Sequence, residues 1–142
     1  MEVTSTEGRI LDVLEDDAQA SYAEIAKRAD VSKPTVRKYI RKMEEEGVIV
    51  GYSADVDPKK LSETSIAVVG LDVASERYVE VTRTLRNLES IESLYTSSGD
   101  HMLIAEVRAP DGDALGDVIS ESVLDVDGVT AAHPSFLQER LK

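Results

Sequence analysis

The residues best placed to do chemistry in this sequence are basic ones at helical spacing. Lys33, Arg37 and Arg41 recur at i, i+4, i+8, and Lys38 and Lys42 lie beside that row. On a helix such residues share one face. Fixed cations at this spacing can neutralise successive phosphates of a nucleic-acid backbone. Side chains at the start of the same helix can reach base edges when the helix lies in the major groove. The set expected to face DNA is Ser21, Tyr22, Ser32, Lys33, Thr35, Arg37, Lys38, Arg41 and Lys42. Within it Lys33, Thr35 and Lys38 are placed for bases, and Arg37 and Arg41 for phosphates. A run of charge is more often a solvated helical face, but here it coincides with a helix-turn-helix pattern.

Other chemistries find less material. The chain has no cysteine, which removes disulfides, thiolate metal sites and cysteine nucleophiles and fits a reducing cytoplasm. Gly-rich phosphate loops, a nucleophile elbow and zinc-ligand spacings are lacking. The two histidines, His101 and His133, fall in or beside C-terminal strands and could meet across a subunit interface as a metal site or pH switch. No carboxylate or thiol cluster accompanies them in the sequence, so they read as surface or half-buried histidines. No catalytic residue, metal or cofactor is assigned.

With 42% hydrophobic and 31% charged residues the 142-residue chain has the composition of a folded protein of one domain or two small ones. It is poor in aromatics (4%, no Trp), so its cores rest on Val, Ile, Leu and Ala and would gain from association. The formal charge of −12 argues against nucleic acid until its distribution is considered. Between Ser21 and Met43 seven basic residues face only Glu24 and Asp30, a positive island in an acidic chain. The acidic remainder suits a very salty cytoplasm or an acidic partner-binding face. No apolar run approaches the ~18 residues of a membrane span, and the polar start is no signal peptide, so a cytoplasmic location is expected.

The elements that must position these residues follow from periodicity. Residues up to about Glu46 read as three helices. The first carries Ile10, Leu11 and Leu14. The second opens on Ser21-Tyr22-Ala23-Glu24 as a capping box, and the third on Ser32 with Pro34 in its first turn. Val36, Ile40 and Met43 face the core of the third, and Gly47 ends it. Residues 48–56 read as one or two short strands. Further strands are expected at 66–73, 91–96, 101–107 and 129–137, with helices at 76–88 (Val79, Leu85 and Leu88 packing) and 113–124. Pro134 marks the last strand as an edge. The fold class is α+β: a winged or three-helix helix-turn-helix domain (1–50), a strand linker (51–63) and a ferredoxin-like βαββαβ domain (64–142) for sensing and oligomerisation.

These motifs, in this order, resemble the Lrp/AsnC family of leucine-responsive and asparagine-synthetase regulators. The resemblance rests on Ile10-Leu11-Asp12-Val13-Leu14, Ser21-Tyr22-Ala23-Glu24-Ile25-Ala26, Val31-Ser32-Lys33-Pro34-Thr35-Val36-Arg37 and the segment from Met43 to Tyr52. It extends to the Ser98-Gly99-Asp100 turn and Val107-Arg108-Ala109. The family's glycine in the recognition turn is Asp30 here, a residue that tolerates left-handed backbone angles. The acidic balance added to this resemblance points to a halophilic archaeon.

The resemblance implies a transcription regulator that is not an enzyme. It implies a homodimer formed through the C-terminal sheets, assembled further into a tetramer or octamer, and reading a pseudo-palindromic operator. An amino acid or other small metabolite would bind near Ser97, Ser98, Gly99, Asp100 and His101. The chain departs from the family there. Met102 stands where an Asp is common, and Ala132-His133-Pro134-Ser135 replaces a Thr-x-Thr-Ser pattern. Two rival readings remain: a sirohaem decarboxylase-like enzyme on the same architecture, and a structural partner that oligomerises without reading sequence.

Overall fold

The computed structural model describes residues 3–142, and the chain divides into two compact units between Asp55 and Val56. In the first, α1 (Ser5–Asp16), α2 (Tyr22–Ala29) and α3 (Lys33–Glu45) enclose a core of Ile10, Val13, Ile25, Ala29, Val36, Ile40 and Met43. Each helix is fixed by local chemistry at its ends. Thr4 and Glu7 form a complete capping box before α1, which the sequence reading did not anticipate. At α2 only half of the expected box forms: Ser21 Oγ accepts from the Glu24 N–H at 3.1 Å. Ser32 caps α3, and Pro34 sits in its first turn. Asp30 adopts φ 54°, ψ 53°, the left-handed conformation expected of it. Gly47 is also left-handed (φ +73°); its N–H bonds to the Glu44 carbonyl and that of Val48 to Met43, a Schellman closure. The inward face of α1 runs through Glu7, Ile10 and Val13, leaving Leu11 and Leu14 half-buried at the rim.

The strands expected at 48–56 do not form. A strand needs a ladder partner, and none of the described residues pairs with this segment in a ladder. The expected strand linker is instead chain without regular secondary structure followed by a 3₁₀ turn, Pro58–Lys60, whose N-cap Asp57 side chain accepts from the Lys59 and Arg140 N–H groups.

The second unit is a four-stranded antiparallel sheet, β1 (Ser65–Val73), β2 (Ile91–Thr96), β3 (Leu103–Ala109) and β4 (Val129–Phe136), in the order β2-β3-β1-β4. With α4 (Tyr78–Arg86) and α5 (Gly112–Asp117) this is the ferredoxin-like βαββαβ arrangement. Residues 67, 69, 71 and 73 of β1 and 103, 105, 107 and 109 of β3 point to the helices, meeting Val81, Leu85, Leu115, Ile119 and Val123. The opposite face, with Val68, Asp72, Ile104, Glu106 and Tyr95, carries no helix.

Three expectations shift. Val79 is exposed, because Tyr78, Val81, Leu85 and Leu88 set the helical phase and place it on the far side. The helix expected at 113–124 is α only to Asp117 and continues as a π-helical turn from Val118 to Val123. The third strand starts at Leu103, since His101 and Met102 belong to the preceding bend. Pro134 lies on β4, an edge strand, as its missing N–H requires. Among the described residues no helix is long and apolar enough to cross a membrane.

Candidate nucleic-acid interface

With Val36, Ile40 and Met43 turned inward, α3 presents its basic residues outward, and the N-terminus of α2 lies beside them. Ser21, Tyr22, Lys33, Arg37, Lys38 and Arg41 line one shared groove, together with Ala23 and Pro34, which the sequence reading did not place in the DNA-facing set. Small or ring-closed side chains there leave the groove open, a role without a signature in sequence. The Arg37 guanidinium lies 5.6 Å from the centroid of the Tyr22 ring, a cation–π contact that holds the long side chain without neutralising it. Lys38 sits similarly, 5.8 Å from Tyr39.

None of Lys33, Arg37, Lys38 and Arg41 forms an ion pair with a described residue. Lys42 differs. Its ammonium is 3.4 Å from Glu7, whose side chain is fully buried, so this cation is drawn away from the groove toward α1. The Glu7 carboxyl is held below its ordinary range, chiefly by the Thr4 backbone N–H and then by the Thr4 hydroxyl and Lys42, against the cost of burial. Ser32 and Thr35 lie outside the groove. Their hydroxyls bond to each other at 2.8 Å while Ser32 caps the helix, so both are engaged in forming the start of α3.

The loop between β2 and β3 carries the expected effector residues. Ser97, Ser98, Gly99 and Asp100 are exposed, and the loop is closed by the Ser97 N–H bonding to the Met102 carbonyl at 2.9 Å. His101 leaves that group. Its ring lies over Gly70 of β1, and its Nδ1 is 3.1 Å from Asp72. His133 reaches the other oxygen of Asp72, also at 3.1 Å, and the two rings stack at 4.5 Å. The histidines therefore meet within one chain, through a carboxylate that the sequence reading did not connect to them. Hydrogen bonds from His101 and then His133 hold the Asp72 carboxyl below its ordinary range.

Comparison with known proteins agrees with both units. Residues 4–50 match a family described as winged helix-turn-helix DNA-binding, and residues 66–142 match the Lrp/AsnC ligand binding domain. The chain is 77% identical, over all of both sequences, to the HTH-type transcriptional regulator LrpA1 of Halobacterium salinarum. It is 42% identical over 94% of each chain to LrpA of Pyrococcus abyssi. In fold it is similar to AsnC of E. coli (24% identity, TM-score 0.69, covering 100% of this chain and 96% of that one). It is also similar to a transcriptional regulator of Neisseria meningitidis solved as an L-Met complex (19% identity, TM-score 0.71, covering 99% and 93%). Relatives of this kind speak for a regulator and give the sirohaem decarboxylase reading no support. A basic helix-turn-helix followed by this α/β ligand-binding unit, matched over the whole length of a regulator, places the chain in the Lrp/AsnC family of DNA-binding transcriptional regulators.

Proposed function

We propose that α3 enters the major groove of a pseudo-palindromic operator, with Lys33 and Lys38 toward bases and Arg37 and Arg41 on phosphates. The observation that carries this reading is four cations in an acidic chain, Lys33, Arg37, Lys38 and Arg41, that line one groove and form no ion pair with a described residue. Phosphate contacts would supply affinity and base contacts selectivity. Ser21 and Tyr22 flank the groove and suit backbone contacts. Ser32 and Thr35 would act from the cap, where a hydroxyl can still reach a neighbouring phosphate or base. Lys42 is the weakest member, given its pairing with Glu7.

The regulator would work in the cytoplasm as a homodimer joined through its sheets, then as a tetramer or octamer. What supports this is the helix-free sheet face, where Val68, Ile104 and Tyr95 leave apolar surface that a second sheet could cover. A small metabolite, an amino acid in the first instance, would bind at the Ser97–Asp100 loop, where the Asp100 carboxylate can pair with an α-amino group. The L-Met complex of the Neisseria regulator favours that class. Such a ligand changes assembly only by binding one state more tightly than another.

The test is retention of genomic DNA fragments by the purified protein across a wide salt range. Recovery of one palindromic motif at high salt is expected and would make the acidic surface an adaptation to salt. Retention without sequence preference at every salt concentration would overturn the operator reading. Lys33→Ala is expected to relax preference at one base position in each half-site, while leaving binding to random DNA near that of the parent.

A further inference from the structure

The helix-free face of the sheet assembles a cluster that DNA binding does not use. β1 and β4 pair so that His133 stands opposite Gly70, with Asp72 two residues along β1 on the same face. His101, just before β3, folds back over Gly70 and completes the group. We propose that Asp72, His101 and His133 form a binding site for one divalent transition-metal ion of the zinc class.

One ligand atom from each of the three residues lies within 4.8 Å of the others. Each histidine nitrogen facing Asp72 now shares a proton with it, and presents a lone pair once that proton moves to the far ring nitrogen. Zinc holds nitrogen and carboxylate ligands at about 2.0–2.2 Å, which puts neighbouring ligand atoms of a tetrahedral site about 3.3 Å apart. Each histidine nitrogen is already 3.1 Å from an Asp72 oxygen, His101 from Oδ1 and His133 from Oδ2, so the ion needs the carboxylate to turn one oxygen between them and the two stacked rings to close on it. Two imidazoles and one carboxylate suit zinc, cobalt or nickel better than magnesium or calcium. Three protein ligands leave a fourth position open to water or to a group from another molecule.

Gly70 is an independent sign that the arrangement is built. A Cβ at this position would lie 2.2 Å from Cδ2 and 2.6 Å from Cγ of His101. Any side chain here would push the ring off the strand and away from Asp72.

The experiment uses the full-length protein, stripped with a chelator and kept in concentrated KCl with excess Mg²⁺ to occupy acidic surface sites. Zn²⁺ is titrated by calorimetry and Co²⁺ by visible absorption. One ion per chain is expected, with cobalt bands of a low-symmetry site and shifts in the ring resonances of both histidines, the only two in the sequence. Asp72→Asn and His133→Gln, the latter at an exposed position, are each expected to weaken Zn²⁺ binding on the order of 100-fold. Gly70→Ala removes no ligand, yet is expected to weaken it about tenfold by displacing His101. The ring resonances of the parent protein report the site even if a variant folds poorly. Absence of saturable binding, or ring resonances that stay unmoved, would overturn the proposal and leave the cluster a hydrogen-bonded brace of the sheet edge. Equal affinity in folded Asp72→Asn and His133→Gln proteins would also overturn it.

Discussion

Helices α3 and α4 are both short, amphipathic and packed on one face, yet they arrange charge in opposite senses. α4 has Glu80 in its first turn and Arg83 and Arg86 in its last, the order that the helix dipole favours, and Arg77 before it pairs with Glu80 and Asp127. α3 begins with Lys33 and no acidic residue, and ends in Glu44, Glu45 and Glu46. Its one well-placed last-turn cation, Lys42, is held by Glu7. α4 is charged for its own stability, whereas α3 carries the charge that the proposed DNA contact requires. A helix with cations where its own positive end lies, most of them paired with no described anion, gains nothing from them internally and is suited to an external anion.

That contrast can be broken first at the cores. Leu85 is fully buried under α4, and Leu85→Ala is expected to destabilise the second unit by about 2–5 kcal/mol. Amide hydrogen exchange should accelerate across β1, β3 and α4 while α1 to α3 keep their protection. Faster exchange in α1 to α3 as well would show that the two units do not unfold separately.

The second test removes cations that form no ion pair with a described residue. The double variant Arg37→Ala, Arg41→Ala is expected to lower DNA affinity at modest salt on the order of 100-fold, and to reduce the slope of log K against log salt by about two. Thermal stability should hardly change, because no ion pair is lost. Fluorescence anisotropy on a labelled duplex measures the first, and a melting curve the second. Lost stability with unchanged binding would make these arginines structural, like Arg77.

A third effect concerns Glu7. Its folded-state pKa lies below the ordinary value of 4.5, so it favours the folded state above that pH, and this contribution is lost as pH falls toward and through the depressed value. The melting temperature of the first unit should therefore drop on acidification below about pH 4.5 more steeply than in Glu7→Gln, whose curve should be flatter and lower at neutral pH. Parallel curves for the two proteins would exclude Glu7 as the source.

Much of this was legible in sequence because it is local. Ser32, Pro34 and Gly47 bracket α3 by backbone chemistry that needs only neighbours, and Val36, Ile40 and Met43 fix its phase. The βαββαβ order followed from alternation and turn residues. What escaped depended on distant chain. The segment 48–56 has strand composition but no ladder partner among the described residues. The Glu7–Lys42 pair spans 35 positions, and its sign as a buried acid is invisible in a helix otherwise read from its leucines. The Asp72–His101–His133 cluster needs the register of three strands before its members become neighbours. Gly70 lies within the strand expected at 66–73, and nothing local in the sequence marks the His101 ring packed against it.

The smallest expected effect tests the comparison most directly, because it changes charge and nothing else. Glu45 and Glu46 are exposed at the end of α3, where carboxylates oppose the dipole. Converting both to Gln should stabilise the first unit by about 0.3–1 kcal/mol per site at low salt. The mirror change, Arg83→Gln with Arg86→Gln at the exposed end of α4, should destabilise the second unit by a similar amount. Both effects should fade in molar KCl, where the screening length falls to about 3 Å. DNA binding separates them further. Removing two negative charges from α3, the helix proposed to read DNA, should tighten binding at low salt, whereas the α4 pair should leave it unchanged. If the α3 substitutions instead destabilised their unit, those carboxylates would have partners within the fold, and the case that α3 is charged for an external anion would rest on Lys33, Arg37 and Arg41 alone.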